Sequence, residues 1–320
     1  MADMPTPVTE RLLKSNEENF TIDDFMSGVP RWCTGCGNNA ILTALQRLCR
    51  DEELMPEETV FVSGIGCSSR FPHYMHTYGF HGLHGRAIPV ACGIKFRRPD
   101  LNVIVVTGDG DCCSIGTSHW IHAIRYNMDI TLLLLDNEIY GLTKNQTSPT
   151  SKQGAKTYTH PRGIGLKPLN PIMTTLGVTN VSFVAQTVDW SPQHLYSTAL
   201  AAFEHPGFSF VRIMQRCPHF SPDMFKEEAA NPDMALVMTH EDGITLPDEV
   251  KKIYRNTEEH DPSNINAARE MAGRMDEIPI GLFYRNPDLP RYDQMGSYNL
   301  GYTVKQKTEA LEHEFDRYAV

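Results

Sequence analysis

The sequence predicts an α/β protein built on a doubly wound, mostly parallel β-sheet. Five short, almost wholly apolar segments alternate along the chain with segments of helical character. Their apolar residues run continuously instead of alternating with polar ones, as expected of strands that are covered on both faces. The first three segments are followed directly by glycine, aspartate or asparagine, and ligands of such sheets bind at the turns after the strands.

Each element is recognised from its own residues. The predicted strands are rich in valine, isoleucine, leucine and phenylalanine and span residues 59–63, 101–107, 130–135, 181–185 and 208–214. The helix-like segments span residues 38–49, 87–96, 116–126 and 193–203. A long segment rich in threonine, serine, lysine, glycine and proline, residues 143–170, is typical of a functional lid or binding loop.

The composition divides the chain into three parts. Residues 1–30 are polar, contain two early prolines and predict an N-terminal arm. Residues 31–220 hold the alternating strands and helices of the sheet domain. Residues 221–320 are polar, charged and rich in proline and asparagine, with helix-like pieces at 263–275 and 307–317. We expect this last part to be a C-terminal extension that wraps the domain or a partner.

Charge and hydropathy exclude several classes of protein. The 320 residues carry 29 lysines and arginines against 39 aspartates and glutamates, a net charge of -10. This balance argues against a dedicated nucleic-acid binder and against binding to an anionic membrane surface. No apolar run approaches the roughly 20 residues of a spanning helix. The first residues lack the basic and apolar segments of a secretory signal, so we expect a cytoplasmic protein.

Polar residues follow two successive predicted strands. Gly108-Asp109-Gly110 comes after one strand, and Asn137 comes after the next. A carboxylate and an amide oxygen at the same sheet edge are hard ligands that suit Mg²⁺. The two glycines allow the backbone to approach a diphosphate closely. A tight turn in which Asp109 caps the following helix is the alternative that this short motif leaves open.

Four of the eight cysteines form a second candidate site. Cys33 and Cys36 make a CxxC motif, while Cys67 and Cys217 each follow a predicted strand. Four thiolates suffice for a [4Fe–4S] cluster or for Zn²⁺, and the spacing matches neither a zinc ribbon nor a compact bacterial ferredoxin motif. A disulfide framework is the weaker interpretation in a long chain without a signal sequence.

The GDG…N pattern resembles the diphosphate-binding signature of thiamine diphosphate enzymes. The ordered set of motifs over about residues 30–220 resembles the β subunits of the 2-oxoacid:ferredoxin oxidoreductases, and among them most the 2-oxoglutarate type. The motifs that carry this resemblance are WCTGCG, SGIGCSSR, GFHGLHGRA, GIK, GDGD and DNEIYGLTK. The final hundred residues are not accounted for by it. Asn145 departs from the family, in which glycine is common at this position.

The resemblance implies a thiamine-diphosphate-binding fold and a specific set of site residues. The implied ligands of one [4Fe–4S] cluster are Cys33, Cys36, Cys67 and Cys217. Asp109 and Asn137 are implied to bind Mg²⁺ through their side chains, and Ile139 through its backbone oxygen. Arg70 and Lys144 are implied to contact the carboxylates of the substrate. The remaining implied cofactor contacts are Ile65, Gly66, Cys67, Ser68, His84, Gly108, Gly110, Asp111, Leu142 and Thr143.

The implied reaction converts a 2-oxoacid and coenzyme A into acyl-CoA and CO₂, with electrons passing to ferredoxin. For 2-oxoglutarate the product is succinyl-CoA, and the same scaffold can run in reverse as a CO₂-fixing synthase. A larger α subunit is implied to supply the pyrimidine domain, a catalytic glutamate and most coenzyme A contacts. This chain is therefore expected to be inactive alone.

Three alternatives stay open from the sequence. The substrate can be pyruvate or another 2-oxoacid. The chain can belong to a non-redox, thiamine-dependent decarboxylase, which needs no cluster. It can also be a structural zinc-binding protein, which needs no thiamine.

Overall fold

The computed structural model describes residues 20–241, 243–274, 277–295 and 303–318. Within these residues nine strands make up the sheet. They are β1 (Thr59–Ser63), β2 (Tyr78–His81), β3 (Asn102–Gly108), β4 (Ile130–Asp136), β5 (Phe183–Val188), β6 (Phe208–Met214), β7 (Ala235–Thr239), β8 (Thr257–Glu259) and β9 (Ile278–Arg285). Within the sheet they lie in the order β2-β1-β3-β4-β6-β5-β9-β7-β8.

The described residues also contain nine α-helices. They are α1 (Asn38–Asp51), α2 (Ala87–Arg97), α3 (Thr117–Tyr126), α4 (Pro171–Leu176), α5 (Pro192–Glu204), α6 (Lys226–Ala230), α7 (Asp248–Ile253), α8 (Ile265–Ala272) and α9 (Val304–Asp316). Ile41 of α1 and Leu195 of α5 belong to the core on one face. Trp120 of α3 and Ala268 of α8 belong to the core on the other face. Within the described residues, none of these helices is both long and apolar enough to cross a membrane.

The predicted doubly wound, mostly parallel sheet is confirmed. Every neighbouring pair of strands is parallel except β5 and β9, which are antiparallel. The strands β1 and β6 have the predicted bounds, and the other three predicted strands differ by at most three residues. All residues of β1, β4 and β5 are buried, which explains why most of their residues are apolar and do not alternate with polar ones.

Four strands are not predicted from the sequence, namely β2 and the three strands after residue 220. All four residues of β2 are exposed at the sheet edge, so this strand carries no apolar signal. The strand β9 is almost fully buried, but Pro279 and Gly281 interrupt its apolar run. Residues 221–320 therefore do more than wrap the domain, because they extend the same sheet by three strands. The division at residue 220 stays a prediction.

The predicted N-terminal arm lies partly outside the described residues, which begin at residue 20. Its last part is held mainly by two residues. Phe25 is fully buried in the core beside α1, and Met26 forms a β-bridge with Met75. The chain is thus anchored to the core before the CxxC motif begins.

Two histidines are buried in the C-terminal half of the sheet domain. His194 of α5 is fully buried, and its Nδ1 lies 2.7 Å from Thr187 Oγ1. His205 is 2% exposed, and neither ring nitrogen has a hydrogen-bond partner among the described residues. Burial lowers the pKa of both imidazoles to about 4, and nearby His240 and Arg285, respectively, act in the same direction.

These histidines predict a loss of stability in acid. An unfolded histidine takes up a proton near pH 6.5, whereas His194 and His205 stay neutral in the folded state until about pH 4. The free energy of unfolding should therefore be highest above pH 6.5 and fall towards pH 4, with each histidine contributing up to about 1.4 kcal/mol per pH unit. Urea unfolding at several pH values measures this slope.

The ring of His205 lies beside that of Phe183, so phenylalanine suits this position. The variant His205→Phe should make the dependence of the unfolding free energy on pH shallower, by up to the uptake of one proton. The exposed His122 offers a matched control, and His122→Phe should leave the slope as it is in the unmodified chain. An identical slope for His205→Phe and the unmodified chain would contradict the assignment.

Candidate active site

A cavity of about 480 Å³ opens at the carboxyl ends of the central parallel strands. The turns after β1, β3 and β4 line it, as expected for a ligand site of a doubly wound sheet. The lining residues are Ile65, Gly66, Cys67, Ser68, His84, Gly108, Asp109, Gly110, Asp111, Leu135, Asn137, Ile139, Tyr140, Gly141, Leu142, Thr143 and Gln146.

All thirteen residues that the sequence analysis assigned to cofactor and magnesium contacts lie in this lining. The structure therefore brings the whole predicted set together, while the role of each residue toward a cofactor stays a prediction. Four lining residues are not among the predicted contacts, namely Leu135, Tyr140, Gly141 and Gln146. Two of these, Tyr140 and Gly141, lie inside the DNEIYGLTK motif, so the motif itself was a usable signal.

Buried carboxylates outnumber buried cations next to the cavity. Asp109, Asp136 and Glu138 are 2%, 0% and 6% exposed. The guanidinium of Arg212 lies 2.7 Å from Asp136 Oδ2 and 3.7 Å from Glu138 Oε1. The hydroxyl of Thr150 lies 2.8 Å from both Asp109 Oδ2 and Asp136 Oδ1, and its single proton can serve one of them at a time.

This excess of negative charge shifts the pKa of two carboxyl groups. Burial, with the charge of Asp136, raises the pKa of Asp109 to about 7. Burial, again with the charge of Asp136, raises the pKa of Glu138 to about 8, although Arg212 opposes the shift. A bound divalent cation would remove this conflict, so the donor set fits Mg²⁺.

The side chain of Asp111 is used to hold two loops together. Its Oδ1 accepts hydrogen bonds from the backbone nitrogens of Ile65 (3.1 Å) and Gly85 (2.7 Å) and lies 2.7 Å from His84 Nδ1. Its Oδ2 accepts a hydrogen bond of 2.8 Å from Thr107. The residue lines the cavity, but its oxygens are engaged by protein groups. These hydrogen bonds hold the segments after β1 and before α2 in place, and a contact of Asp111 with a cofactor stays a prediction.

A relay of amides connects the cavity to the CxxC motif. The Nδ2 of Asn137 donates to Gln215 Oε1 (2.9 Å), and Gln215 Nε2 lies 3.5 Å from the sulfur of Cys36. The first of these bonds fixes the orientation of the Asn137 amide, and Asn137 Oδ1 accepts from the backbone nitrogen of Ile139 (3.2 Å). Gln215 is not among the predicted site residues, although it directly follows β6 at the carboxyl edge of the sheet.

The four predicted cluster ligands lie together beside the cavity. Burial raises the pKa of the Cys36 thiol to about 12, and the thiolates of Cys217, Cys67 and Cys33 act on it in the same direction. The backbone nitrogen of Gly37 donates to the carbonyl of Arg216 (3.2 Å), which places the CxxC loop next to Cys217. All four thiols are free of disulfide bonds.

The thiols and the cavity share a wall. Cys67 lines the cavity, and Trp32 donates from its indole nitrogen to the carbonyl of Cys67 (2.7 Å). Gly141 also lines the cavity, and a Cβ at this position would lie 3.7 Å from the Cys217 sulfur and 3.9 Å from the Cys67 sulfur. A glycine here keeps the cavity close to the sulfurs.

Among the described residues, no three or more histidine, cysteine, aspartate or glutamate side chains are arranged to hold one metal ion, and this includes the four cysteines, whose role as cluster ligands stays a prediction. The predicted magnesium ligands comprise one carboxylate, one amide and one backbone carbonyl. Only the carboxylate, that of Asp109, belongs to these four residue types, so a magnesium site of this composition would not form such a group.

The chain is similar to known proteins over most of its length. Residues 64–213 match the family of the thiamine pyrophosphate enzyme C-terminal TPP binding domain. The chain is also 37% identical over 265 residues to the 2-oxoacid:ferredoxin oxidoreductase subunit beta of Saccharolobus solfataricus, covering 82% of this chain and 84% of that protein. The chain belongs to this family of β subunits.

Two further relatives are of the 2-oxoglutarate type. This chain is 45% identical over 219 residues to 2-oxoglutarate oxidoreductase subunit KorB of Mycobacterium tuberculosis. The match covers 68% of this chain and 57% of that protein. The structure of 2-oxoglutarate:ferredoxin oxidoreductase from Magnetococcus marinus, with 2-oxoglutarate, coenzyme A and succinyl-CoA bound, superimposes with a TM-score of 0.77. That match has 36% identity and covers 92% of this chain and 96% of that chain.

The family extends beyond residue 220. Residues 250–298 match the family that describes the C-terminal part of the pyruvate ferredoxin oxidoreductase beta subunit. The expectation that the family does not account for the final hundred residues is therefore wrong. The polar composition of this part hid strands that belong to the family.

Asn145 departs from the glycine that is common in the family, and the backbone explains why it is tolerated. Lys144 and Asn145 have φ angles of +72° and +71°. This left-handed region favours glycine, and asparagine is among the residues that adopt it most readily. The turn is therefore retained without glycine.

The two predicted substrate contacts, Arg70 and Lys144, lie outside the cavity lining. Arg70 is half-buried just beyond the segment of Cys67 and Ser68, with its guanidinium 5.7 Å from the ring centroid of Tyr74. Lys144 is exposed and directly follows the lining residue Thr143. Both therefore neighbour residues of the lining, and their contact with substrate stays a prediction.

The hydrogen bonds of Asp111 predict the effect of removing its charge. In the variant Asp111→Asn an NH₂ group replaces one acceptor, so at least one donor of the two loops loses its partner. We expect the free energy of unfolding to fall by about 1–3 kcal/mol and thiamine diphosphate to bind more weakly. Urea unfolding and equilibrium binding measure these effects.

Asp100→Asn is the matched control, because Asp100 is exposed and pairs with Arg98 at the surface. Equal effects of the two substitutions, or unchanged binding in Asp111→Asn, would contradict the positioning role.

Proposed function

We propose that this β subunit, together with an α subunit, oxidises a 2-oxoacid in the presence of coenzyme A to acyl-CoA and CO₂ and passes the electrons to ferredoxin. The preferred substrate is 2-oxoglutarate, with succinyl-CoA as the product. The observation that carries the proposal is the wall shared by the cavity and the four thiols, formed by Cys67 and Gly141. The names of the relatives from Mycobacterium tuberculosis and Magnetococcus marinus support the choice of substrate.

Thiamine diphosphate and Mg²⁺ are the proposed occupants of the cavity. Asp109 and Asn137 would hold Mg²⁺ by their side-chain oxygens and Ile139 by its backbone oxygen. The backbone around Gly108 and Gly110 would lie against the diphosphate. The other proposed contacts are Ile65, Gly66, Cys67, Ser68, His84, Leu142 and Thr143, with Asp111 acting through its neighbours. When bound, thiamine diphosphate supplies stabilisation of a carbanion at the former 2-oxo carbon.

A [4Fe–4S] cluster is the proposed occupant of the space among Cys33, Cys36, Cys67 and Cys217. The grouping of four free thiols supports this assignment. Hydrogen bonds to ligating sulfurs tune the potential of such clusters, and Gln215 is placed to supply one to Cys36.

The residues of this chain have separate tasks in the proposed reaction. Arg70 and Lys144 would bind the carboxylates of the substrate, since a guanidinium suits bidentate contact and an ammonium suits point contact. Asp111 and His84 would keep the loops after β1 and before α2 in place. The buried network of Asp136, Arg212 and Thr150 would hold Asp109 at the position of the metal ligand.

A separate α subunit is proposed to complete the site. It would supply the pyrimidine domain, the glutamate that activates the aminopyrimidine and most of the coenzyme A contacts. The name of the β-subunit relatives supports a partner of this kind. Whether oxidation or reductive carboxylation dominates would depend on the potential of the ferredoxin.

Iron analysis and reconstitution test the proposal together. Protein purified without oxygen should contain about four irons and four sulfides per chain, and it should show an S = 1/2 EPR signal after reduction. Mixing with the α subunit should give ferredoxin reduction that depends on 2-oxoglutarate and coenzyme A, because neither chain holds the whole site. Zinc without iron, or full turnover by this chain alone, would contradict it.

Matched variants separate the parts of this test. Cys217→Ser should lower the iron content, whereas Cys49→Ser, at a buried thiol of α1 in the apolar core, should leave it unchanged. Arg70→Met should raise KM for 2-oxoglutarate about tenfold or more, since a lost charged contact costs about 1.5–3 kcal/mol. Lys167→Met, in an exposed part of the same long loop as Lys144, is the control for a lost surface charge. Equal kinetics for pyruvate and 2-oxoglutarate would contradict the substrate assignment.

A further inference from the structure

The last helix, α9, packs against no other described part of the chain. All residues from 303 to 318 are exposed. The helix is nevertheless well defined at its start, because Thr303 Oγ1 accepts from the backbone nitrogen of Gln306 and Gln306 Oε1 accepts from the backbone nitrogen of Thr303. This reciprocal capping specifies a helix at this point of the sequence.

One face of α9 carries an apolar stripe. Val304, Leu311, Phe315 and Tyr318 are 81%, 55%, 66% and 76% exposed. With Thr308 they follow one another at alternating steps of four and three residues. This spacing is the heptad seam of a two-stranded coiled coil, in which Thr308 and Phe315 take the a positions and the other three take the d positions.

Charged residues flank this seam in two blocks of opposite sign. Lys305 and Lys307 occupy the e and g positions of the first turns, and Glu312 and Glu314 occupy those of the last turns. Both blocks oppose the dipole of their own helix, whose N-terminal end is positive and whose C-terminal end is negative. The arrangement is unfavourable in a helix that stays alone.

We propose that α9 pairs antiparallel with α9 of a second copy of this chain. In antiparallel coiled coils, e residues face e residues and g residues face g residues. Lys305 then faces Glu312 of the second copy, and Lys307 faces Glu314 of the second copy. By two-fold symmetry this gives four ion pairs.

The same register aligns the apolar stripe. Val304 packs against Phe315 of the second copy, and Thr308 packs against Leu311 of the second copy. The charges and the apolar residues therefore specify one alignment. Each unfavourable helix end also comes to lie beside the opposite end of the second helix, which relieves the conflict with the dipole.

A parallel pair fits less well. It would pair Lys307 with Glu312 across the seam, but it would leave Lys305 and Glu314 without partners between the helices. It would also bring like ends of the two dipoles together. Within one helix, Lys305 lies 3.9 Å from Glu309 and Glu314 lies 2.8 Å from Arg317, and these exposed pairs are weak competitors.

Charge reversal and sedimentation velocity of the full chain test the pairing. The unmodified chain should form a dimer in a concentration-dependent manner. Lys305→Glu with Lys307→Glu should raise the dimer dissociation constant about tenfold or more, and so should Glu312→Lys with Glu314→Lys. Mixing these two double variants should give a heterodimer, and the quadruple variant should dimerise again.

Substitutions in the apolar stripe provide a second, independent test of the pairing. Leu311→Gln with Phe315→Gln should weaken the dimer, whereas Ala310→Gln, at an outward c position of the same helix, should not. None of these residues is buried, so the sheet domain should fold in every variant. A monomeric unmodified chain, or a dimer that the stripe variant leaves unchanged, would overturn the proposal. Loss of α-subunit binding with unchanged self-association would overturn it as well.

Discussion

The site depends on an imbalance of buried charge at the carboxyl edge of the sheet. Asp109, Asp136 and Glu138 come together where β3 and β4 end, and among the described residues Arg212 on β6 is the one arginine paired with them. Burial makes this excess of negative charge costly unless protons or a cation balance it. The parallel register of the strands creates the imbalance, because it brings their carboxyl ends to a common edge.

The same edge organises the chemistry around the cavity. Asp136 is tied to Arg212 and to Thr150, and Thr150 in turn lies against Asp109. From Asn137 a second chain of hydrogen bonds runs through Gln215 to Cys36. The positions proposed for the metal and for the cluster are thus connected by protein groups. A displacement of Asn137 is therefore expected to shift Gln215 and Cys36, and the reverse.

Much of this organisation could be predicted from the sequence, for a physical reason. Strands buried on both faces are mostly apolar, so β1, β3, β4 and β6 were recognisable, and the turns after β1, β3 and β4 held most of the lining residues. The exposed edge strand β2 and the proline-containing β9 lacked that signal. Thr150 was not predictable, because its partners are distant in the chain, whereas Gln215 at the end of β6 and Arg212 within that apolar strand were visible signals.

Equilibrium binding of thiamine diphosphate to the chain, with Mg²⁺ present or with EDTA, tests the central claim most directly. If the buried carboxylates are balanced by a divalent cation that also holds the diphosphate, binding should require Mg²⁺ and should be lost in Asp109→Asn. Binding of equal strength in EDTA, or in the Asp109→Asn variant, would show that the negative charge at the sheet edge serves another purpose.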